Sequence, residues 1–252
     1  MIPAERQRCI LQALEQHEIR TIHQLTELLG VSHMTVRRDI ANLEAKGRLF
    51  SVLGGVQRVE SVREEPSHRV KLEMNTEVKR RIAAAAVTLV PANATVYLDA
   101  GTTTLALAKL LAERADLLVV SNDLVIANYL AAQGRCRQYL TGGFVDAANH
   151  SCVGNLTATF ISQLNIDVAF ISTSCWDRRG ISFPSEHKVV VKKALLEVAK
   201  QSVLLADSSK FGRSGAFLGL SNSQFDLVIS DSDLPHSFQE LLTQQQVALQ
   251  LV

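Results

Sequence analysis

Arg37 and Arg38 stand side by side in the run Val31-Ser32-His33-Met34-Thr35-Val36-Arg37-Arg38-Asp39, and their chemistry is that of nucleic-acid contact. A guanidinium carries paired donors in a fixed fork that matches guanine edges and phosphate oxygens. A bare arginine pair is more often an ordinary solvated helix face. Here the setting favours DNA. Ser32 is a good N-cap for a helix, on which Val36, Ile40 and Leu43 share one face while Met34, Arg38 and Ala41 point away from it, with Thr35 and Arg37 on the flanks. Thr21, Ser32, His33, Met34, Thr35, Arg37 and Arg38 are the candidate DNA-reading residues, His33 as a contact in the first turn.

A second set of residues suits an anion. Asp99-Ala100-Gly101-Thr102-Thr103-Thr104 follows an apolar strand pattern and opens a helix. Gly101 permits close backbone approach, and the free amides of a helix start, with three hydroxyls, are donors for a phosphate. Ser121-Asn122-Asp123, Thr141-Gly142-Gly143 and Asp207-Ser208-Ser209-Lys210-Phe211-Gly212 also fall at strand ends. Each alone reads as an ordinary turn, and Asp207 with Lys210 as a surface ion pair worth under about 1 kcal/mol. Their shared sheet edge is the argument, because ligands of such sheets sit outside the carboxyl ends of the strands. Trp176, the only tryptophan, could lie against a ligand ring, although core or rim is the commoner place for it.

These residues need two kinds of scaffold. Glu5 to Gln16 forms a first helix with Ile10, Leu11 and Leu14 inward; Thr21 caps a second containing Ile22, Leu25 and Leu29, and Gly30 turns the chain before Ser32. Helix, tight turn and helix present the last helix to a major groove. Arg48 to Val56 reads as a hairpin or wing, with Arg48 and Arg58 as weak candidates for backbone contact. The region 60–75 is polar and charged, contains Pro66, and reads as a linker; Thr76 then caps a helix running to Val90. Strands are expected at 94–99, 116–121, 137–140, 167–173, 202–206, 226–230 and 247–251, mostly separated by helices. That alternation predicts a mostly parallel sheet covered on both faces.

The 252 residues suffice for a small domain and a medium one, divided as 1–58, a linker at 59–75, and 76–252. A net charge of +1 excludes a bulk basic field, so DNA affinity has to come from a local patch doubled by dimerisation. Pro91 and Asn93 interrupt the most apolar stretch and the start lacks a signal core, so a cytoplasmic protein without a membrane segment is expected. Cys9, Cys136, Cys152 and Cys175 form no C-x-x-C pair, and no histidine pairs at ligand spacing, so neither a metal nor another cofactor is expected.

The run Ser32-x-x-Thr35-Val36-Arg37-Arg38-Asp39-Ile40, with Ile10 to Leu14 upstream and Leu43-Glu44-x-x-Gly47 and Gly54-Gly55 after it, resembles the DeoR family of bacterial transcription regulators. In that family an Arg and a His commonly precede the Gly pair; Ser51 and Leu53 stand here. The region from Thr76 onward resembles the family's effector domain, whose fold is similar to ribose-5-phosphate isomerase. The resemblance matches Gly101, Thr102, Thr103 and Thr104 to its phosphate loop and Ser121-Asn122 to a threonine-asparagine pair. Gly142-Gly143 match its Gly pair, and Asp207, Ser209 and Lys210 its aspartate-x-serine-lysine motif. Glu186, before Val191-Lys192-Lys193-Ala194, has no secure register on the family's carboxylates. What the resemblance implies is a winged helix-turn-helix followed by an α/β effector domain. Such a protein is a homodimer or homotetramer that binds double-stranded operator DNA, represses a carbohydrate operon, and answers to a phosphorylated sugar or sugar acid. The alternative is a sugar-phosphate isomerase-like enzyme with an appended DNA-binding segment, for which Asp99 or Asp207 would have to serve as base.

Overall fold

The computed structural model describes residues 1–252. The chain begins with α1 (Pro3–Gln16), β1 (Ile19–Arg20), α2 (Ile22–Leu29), α3 (His33–Ala45), β2 (Leu49–Val52) and β3 (Gly55–Arg58). Ile10, Leu14, Leu25, Leu29, Val36, Ile40 and Leu43 meet at helical spacing in one small core, closed by Leu49 and Val56 of the wing. Thr21 and Gln24 make a reciprocal capping box at the start of α2, and Gly30 ends it in a left-handed conformation (φ 63°) that a side chain would strain. Asp39, buried on the inner side of α3, accepts from Arg6 at 2.6 Å and so ties α1 to α3.

Residues 59–75, expected as a linker, are instead built into the molecule. Strand β4 (Glu60–Ser61) pairs with a strand far along the chain, and α4 (His68–Glu73) is capped by Ser67. Six residues are too few for a hydrophobic period to show in the sequence. Helix α5 (Thr76–Val87) has Asn75, not Thr76, at its N-cap position, and no side chain caps it; Asn75 adopts a left-handed φ of 51° and spends its side chain on Asp207 and Ser209.

The second domain continues with β5 (Thr95–Leu98), α6 (Thr102–Leu111), β6 (Leu118–Ser121), α7 (Leu124–Gln133), β7 (Arg137–Leu140), β8 (Phe144–Asp146), β9 (Ser151–Val153), α8 (Asn155–Ile161) and β10 (Val168–Ser172). Then come β11 (Cys175–Asp177), β12 (Gly180–Phe183), α9 (Glu186–Val198), β13 (Ser202–Leu205), β14 (Arg213–Ser214), β15 (Phe217–Leu220), β16 (Leu227–Ser230), α10 (His236–Gln244) and β17 (Ala248–Leu251). Seven strands form one wholly parallel sheet in the order β17-β16-β13-β10-β5-β6-β7. Apolar cores cover both faces, which explains the β-branched runs of the sequence. From β5 the chain proceeds outward through β6 to β7, then returns to β10 on the other side. The crevice between the ends of β5 and β10 is therefore the switch point where such sheets hold ligands.

The wing joins this second core directly. Phe50 of β2 packs edge-on against Phe211 at 5.0 Å, and Phe211 continues into Trp176 and Phe238. Ser237 donates to the Ser51 carbonyl at 3.1 Å.

Candidate nucleic-acid interface and ligand pocket

Helix α3 starts at a working cap: Ser32 Oγ accepts from the Thr35 amide at 3.3 Å and lies 3.0 Å from Thr35 Oγ1. Its outer side carries His33, Met34, Arg37 and Arg38, all exposed. No carboxylate pairs with Arg37 or Arg38. Two fixed-charge donors are thus held on a rigid helix with nothing in the chain to neutralise them. Thr21 is committed to capping α2, and Arg58 of the wing to Glu15. Arg48 is exposed and forms no ion pair.

The ligand pocket lies at the β5/β10 switch point. Ala100, Gly101, Thr102 and Thr103 supply one wall, Ser172, Thr173 and Ser174 the facing wall, and Asn122 the floor from the end of β6. A side chain at residue 101 would meet Ser172 Oγ at 2.8 Å, so glycine permits the two strand ends to approach. Asp123 accepts from the Gly101 amide at 3.1 Å and Asn122 from the Ala100 amide at 3.0 Å, which fixes the loop. The amides of Thr102, Thr103 and Thr104, at the start of α6, donate to no acceptor of the chain. They are the free donors that an anion at a helix start requires.

Four lysines line the same pocket: Lys71, Lys188, Lys192 and Lys210. Each is held by a carboxylate. Glu65 accepts from Lys188 at 2.8 Å and Lys71 at 3.0 Å. Asp99, fully buried, pairs with Lys192 and accepts from the Ser172 amide at 2.8 Å. Asp207 Oδ2 lies 3.6 Å from Lys210. Burial by itself would raise the Glu65 carboxyl, but the two lysines outweigh it and hold the group at about 2. For Asp207, too, burial is outweighed by Lys210 with help from Ser209 and Asn75, and its carboxyl lies below the usual range. Burial lowers the ammonium of Lys192 and that of Lys71, although Glu65 opposes it in the latter. His68, on the pocket wall and stacked on His150 at 5.3 Å, is lowered by burial and then by His150.

Of the residues singled out in the sequence, Gly101, Thr102, Thr103, Asn122 and Lys210 line the pocket together. Asp99 lies beneath it as the counterion of Lys192, Thr104 turns inward to donate to the Gly101 carbonyl, and Ser121 donates to the Leu98 carbonyl. Asp207 and Ser209 stand behind Lys210, and Asp207 with Lys210 is a buried pair, not the surface ion pair expected from the sequence. Gly142 and Gly143 do not reach the pocket; they turn the chain into β8, with the Gly142 carbonyl accepting from Thr157 at 2.8 Å. Trp176 is fully buried and donates to Asn222 at 2.8 Å, so it faces no ligand. Glu65, His68, Lys71, Lys188 and Lys192 were missed. Lys188 and Lys192, four apart on one face of α9, carried a legible signal; Glu65, His68 and Lys71, within the supposed linker, carried none.

A winged helix-turn-helix with an open basic face, joined to an α/β domain with an anion-suited crevice, defines a class: DNA-binding regulators with a ligand-sensing second domain. Residues 6–62 match the DeoR-like helix-turn-helix domain, and residues 74–232 the DeoR C terminal sensor domain. The chain belongs to the DeoR family of transcriptional regulators. It is 45% identical to an uncharacterized HTH-type transcriptional regulator of Haemophilus influenzae, over 100% of this chain and 98% of that one. It is 31% identical to the glycerol-3-phosphate regulon repressor of Escherichia coli K12, over the full length of both. Among solved structures, ribose 5-phosphate isomerase A of Methanocaldococcus jannaschii aligns over 54% of this chain and 55% of that one, with 17% identity and a TM-score of 0.40. No helix is long and apolar enough to cross a membrane.

Proposed function

We propose that this regulator is a repressor of a carbohydrate-utilisation operon, released from its operator when a phosphorylated sugar or sugar acid enters the switch-point pocket. The observation that carries the ligand class is a single pocket lined by four lysines together with Thr102 and Thr103, whose amides have no partner in the chain. A dianionic phosphate or a carboxylate satisfies both, and the flanking Thr102, Thr103 and Ser174, the last with a buried hydroxyl that has no partner in the chain, offer hydroxyls to a polyol. The name of the glycerol-3-phosphate regulon relative supports the same class. On the DNA side, Arg37 and Arg38 read or clamp the groove, with Ser32, His33, Met34 and Thr35 at its floor and Thr21 bracing the preceding helix.

The mechanism is linkage. A ligand that binds one arrangement of the two domains better than another shifts the population toward it. Residues 59–75 are the natural route, because Glu65, His68 and Lys71 of this connection belong to the pocket wall. An anion that takes Lys71 and Lys188 from Glu65 acts on the segment leading straight back to the wing.

We also infer that the second domain does not catalyse isomerisation. Glu65 is the carboxylate lining the pocket, and a group held at about 2 is a poor general base near neutrality. Asp99 and Asp207, the two bases the sequence offers, are occupied as well, Asp99 by Lys192 and Ser172 and Asp207 by Lys210 and Asn75.

The test is Lys210→Ala. Operator binding by fluorescence anisotropy stays at the wild-type level, while the thermal shift produced by phosphorylated sugars and sugar acids in the wild type is lost. A variant that keeps the full shift sinks the pocket assignment. Turnover of an aldose or ketose phosphate by the wild type sinks the non-enzyme reading.

A further inference from the structure

We propose that a second copy of this chain docks on the open edge of the parallel sheet, against a patch formed by β7, the β8–β9 hairpin and α8. Strand β7 pairs with β6 on one side and has no neighbour on the other. Beside it Tyr139, Leu140, Phe144, Val145 and Leu156 are exposed, Phe144 by 67% and Leu156 by 76%. The three elements are continuous: Tyr139 contacts Phe160 of α8 at 6.2 Å between rings, and Thr157 of α8 bonds the carbonyl of Gly142 before β8. From Arg137 to Val145 the chain carries one charge, at Arg137. An unbulged edge strand whose one charge lies at its first residue is the kind of edge that soluble proteins avoid leaving open. The opposite edge, β17, exposes one large apolar side chain, Leu251.

The area fits a copy of this chain. Five such side chains expose on the order of 600 Å², the upper end for a patch left uncovered on a monomer. With the rim and the strand edge added, the face approaches the roughly 800 Å² per partner of a stable interface. A neutral patch provides no charge complementarity for an acidic or basic partner, whereas a free strand edge is complementary to itself when two copies pair antiparallel about a two-fold axis. Operator recognition requires that axis: one recognition helix reads one half-site, and a chain of net charge +1 has no bulk field to compensate for a missing second one.

The hairpin that carries Phe144 and Val145 also reaches the pocket. Asp146 lies 3.5 Å from Lys188, Asn149 accepts from Lys71, and Ser151 and Val153 line the cavity. An anion drawing on Lys71 and Lys188 therefore acts on the same hairpin that faces the second copy. This coupling rests on the ligand reading above; the interface itself does not.

The experiment is sedimentation velocity on the full-length wild type, on Phe144→Glu/Leu156→Glu, and on Leu251→Glu as a control. The wild type and the control sediment as a dimer or a multiple of it, and the double variant as a monomer with at least 100-fold weaker operator binding. Amide exchange of residues 137–145 in the wild type, slowing as protein concentration rises, reads the same contact without a substitution. A monomeric wild type at operator-binding concentrations, a double variant that keeps its full mass, or exchange at 137–145 that ignores concentration overturns the proposal. The thermal shift of the double variant with inorganic phosphate reports on the pocket separately.

Discussion

The outer face of α3 and the switch-point pocket both gather cationic side chains, and they treat charge in opposite ways. On α3, Arg37 and Arg38 are exposed and unpaired; water solvates them and leaving them free costs nothing. In the pocket Lys71, Lys188, Lys192 and Lys210 are buried or nearly so, and each has an internal carboxylate. A buried ammonium without a counterion is prohibitively expensive, so a buried anion site must hold its cations paired before its ligand arrives. The surface site waits for a partner; the buried site must exchange one. Ligand binding in the second region is therefore tied to rearrangement, as binding in the first is not.

The sharpest way to break this contrast is to remove one internal counterion. Asp99→Ala leaves Lys192 buried and unpaired and costs about 3–5 kcal/mol of stability, read by urea denaturation, while Asp99→Ala/Lys192→Met recovers most of it. Equal stability of the single variant and the wild type would show that the pocket tolerates bare charge as the surface does.

Acid titration tests the same point at Glu65. Its folded carboxyl is depressed from 4.5 to about 2, so its contribution is complete above pH 4.5 and disappears as pH falls toward 2. A shift of that size is worth about 3 kcal/mol. The stability difference between wild type and Glu65→Gln should accordingly narrow across that window and be flat above it. A difference independent of pH would mean that Glu65 is not ionised between its two lysines.

The surface region predicts a smaller and cleaner effect. Arg38→Ala weakens operator binding by about 1–3 kcal/mol and leaves the melting temperature unchanged, because an exposed, unpaired side chain contributes little to folding. Anisotropy at two salt concentrations separates the contacts: a loss that is uniform across DNA sequences, with a reduced salt slope, marks a phosphate contact, and relaxed specificity marks a base contact. Binding equal to that of the wild type removes the recognition-helix assignment.

The same contrast explains what could be read from the sequence. The DNA-reading face is local: cap, apolar stripe and basic pair all fall within Ser32 to Leu43, and helical spacing sorts them. The seven parallel strands were legible too, since burial on both faces leaves continuous apolar runs. The pocket was only half legible. Its backbone donors follow one strand and announce themselves through Gly101 and three threonines, but its charges are paired across the chain. Lys192 meets Asp99 from 93 positions away and Lys188 meets Glu65 from 123. No local period encodes such a pair. Glu65 and Lys71 were hidden further because a short buried segment between two domains has the composition of a linker. Trp176 looked available for the opposite reason: its aromatic neighbours Phe211 and Phe238 come from distant segments, so nothing near it in sequence shows that the core encloses it.

The smallest expected structural effect with a functional readout lies where the two regions meet. Phe50 leaves the DNA-binding domain to pack on Phe211, the residue after Lys210, and Gly212 (φ 77°) is open at that point because a side chain there would enter the Phe50 ring. The Gly212 carbonyl also accepts from the Glu60 amide at 2.7 Å, so the turn that carries Lys210 is fastened to both the wing and the connection. Any ligand contact that moves Lys210 displaces the surface on which Phe50 rests. Phe50→Leu keeps an apolar side chain in place and should cost under about 1.5 kcal/mol, with operator affinity in the absence of ligand close to wild type. The ligand-induced loss of operator affinity, in contrast, should shrink several-fold, because coupling energies of about 1–3 kcal/mol are within reach of one repacked contact. Operator titrations of both proteins, with and without the sugar phosphate that gives the largest thermal shift, measure it. An undiminished response would place the transmission in Glu65 and the connection alone, and the aromatic contact would then be packing without a part in signalling.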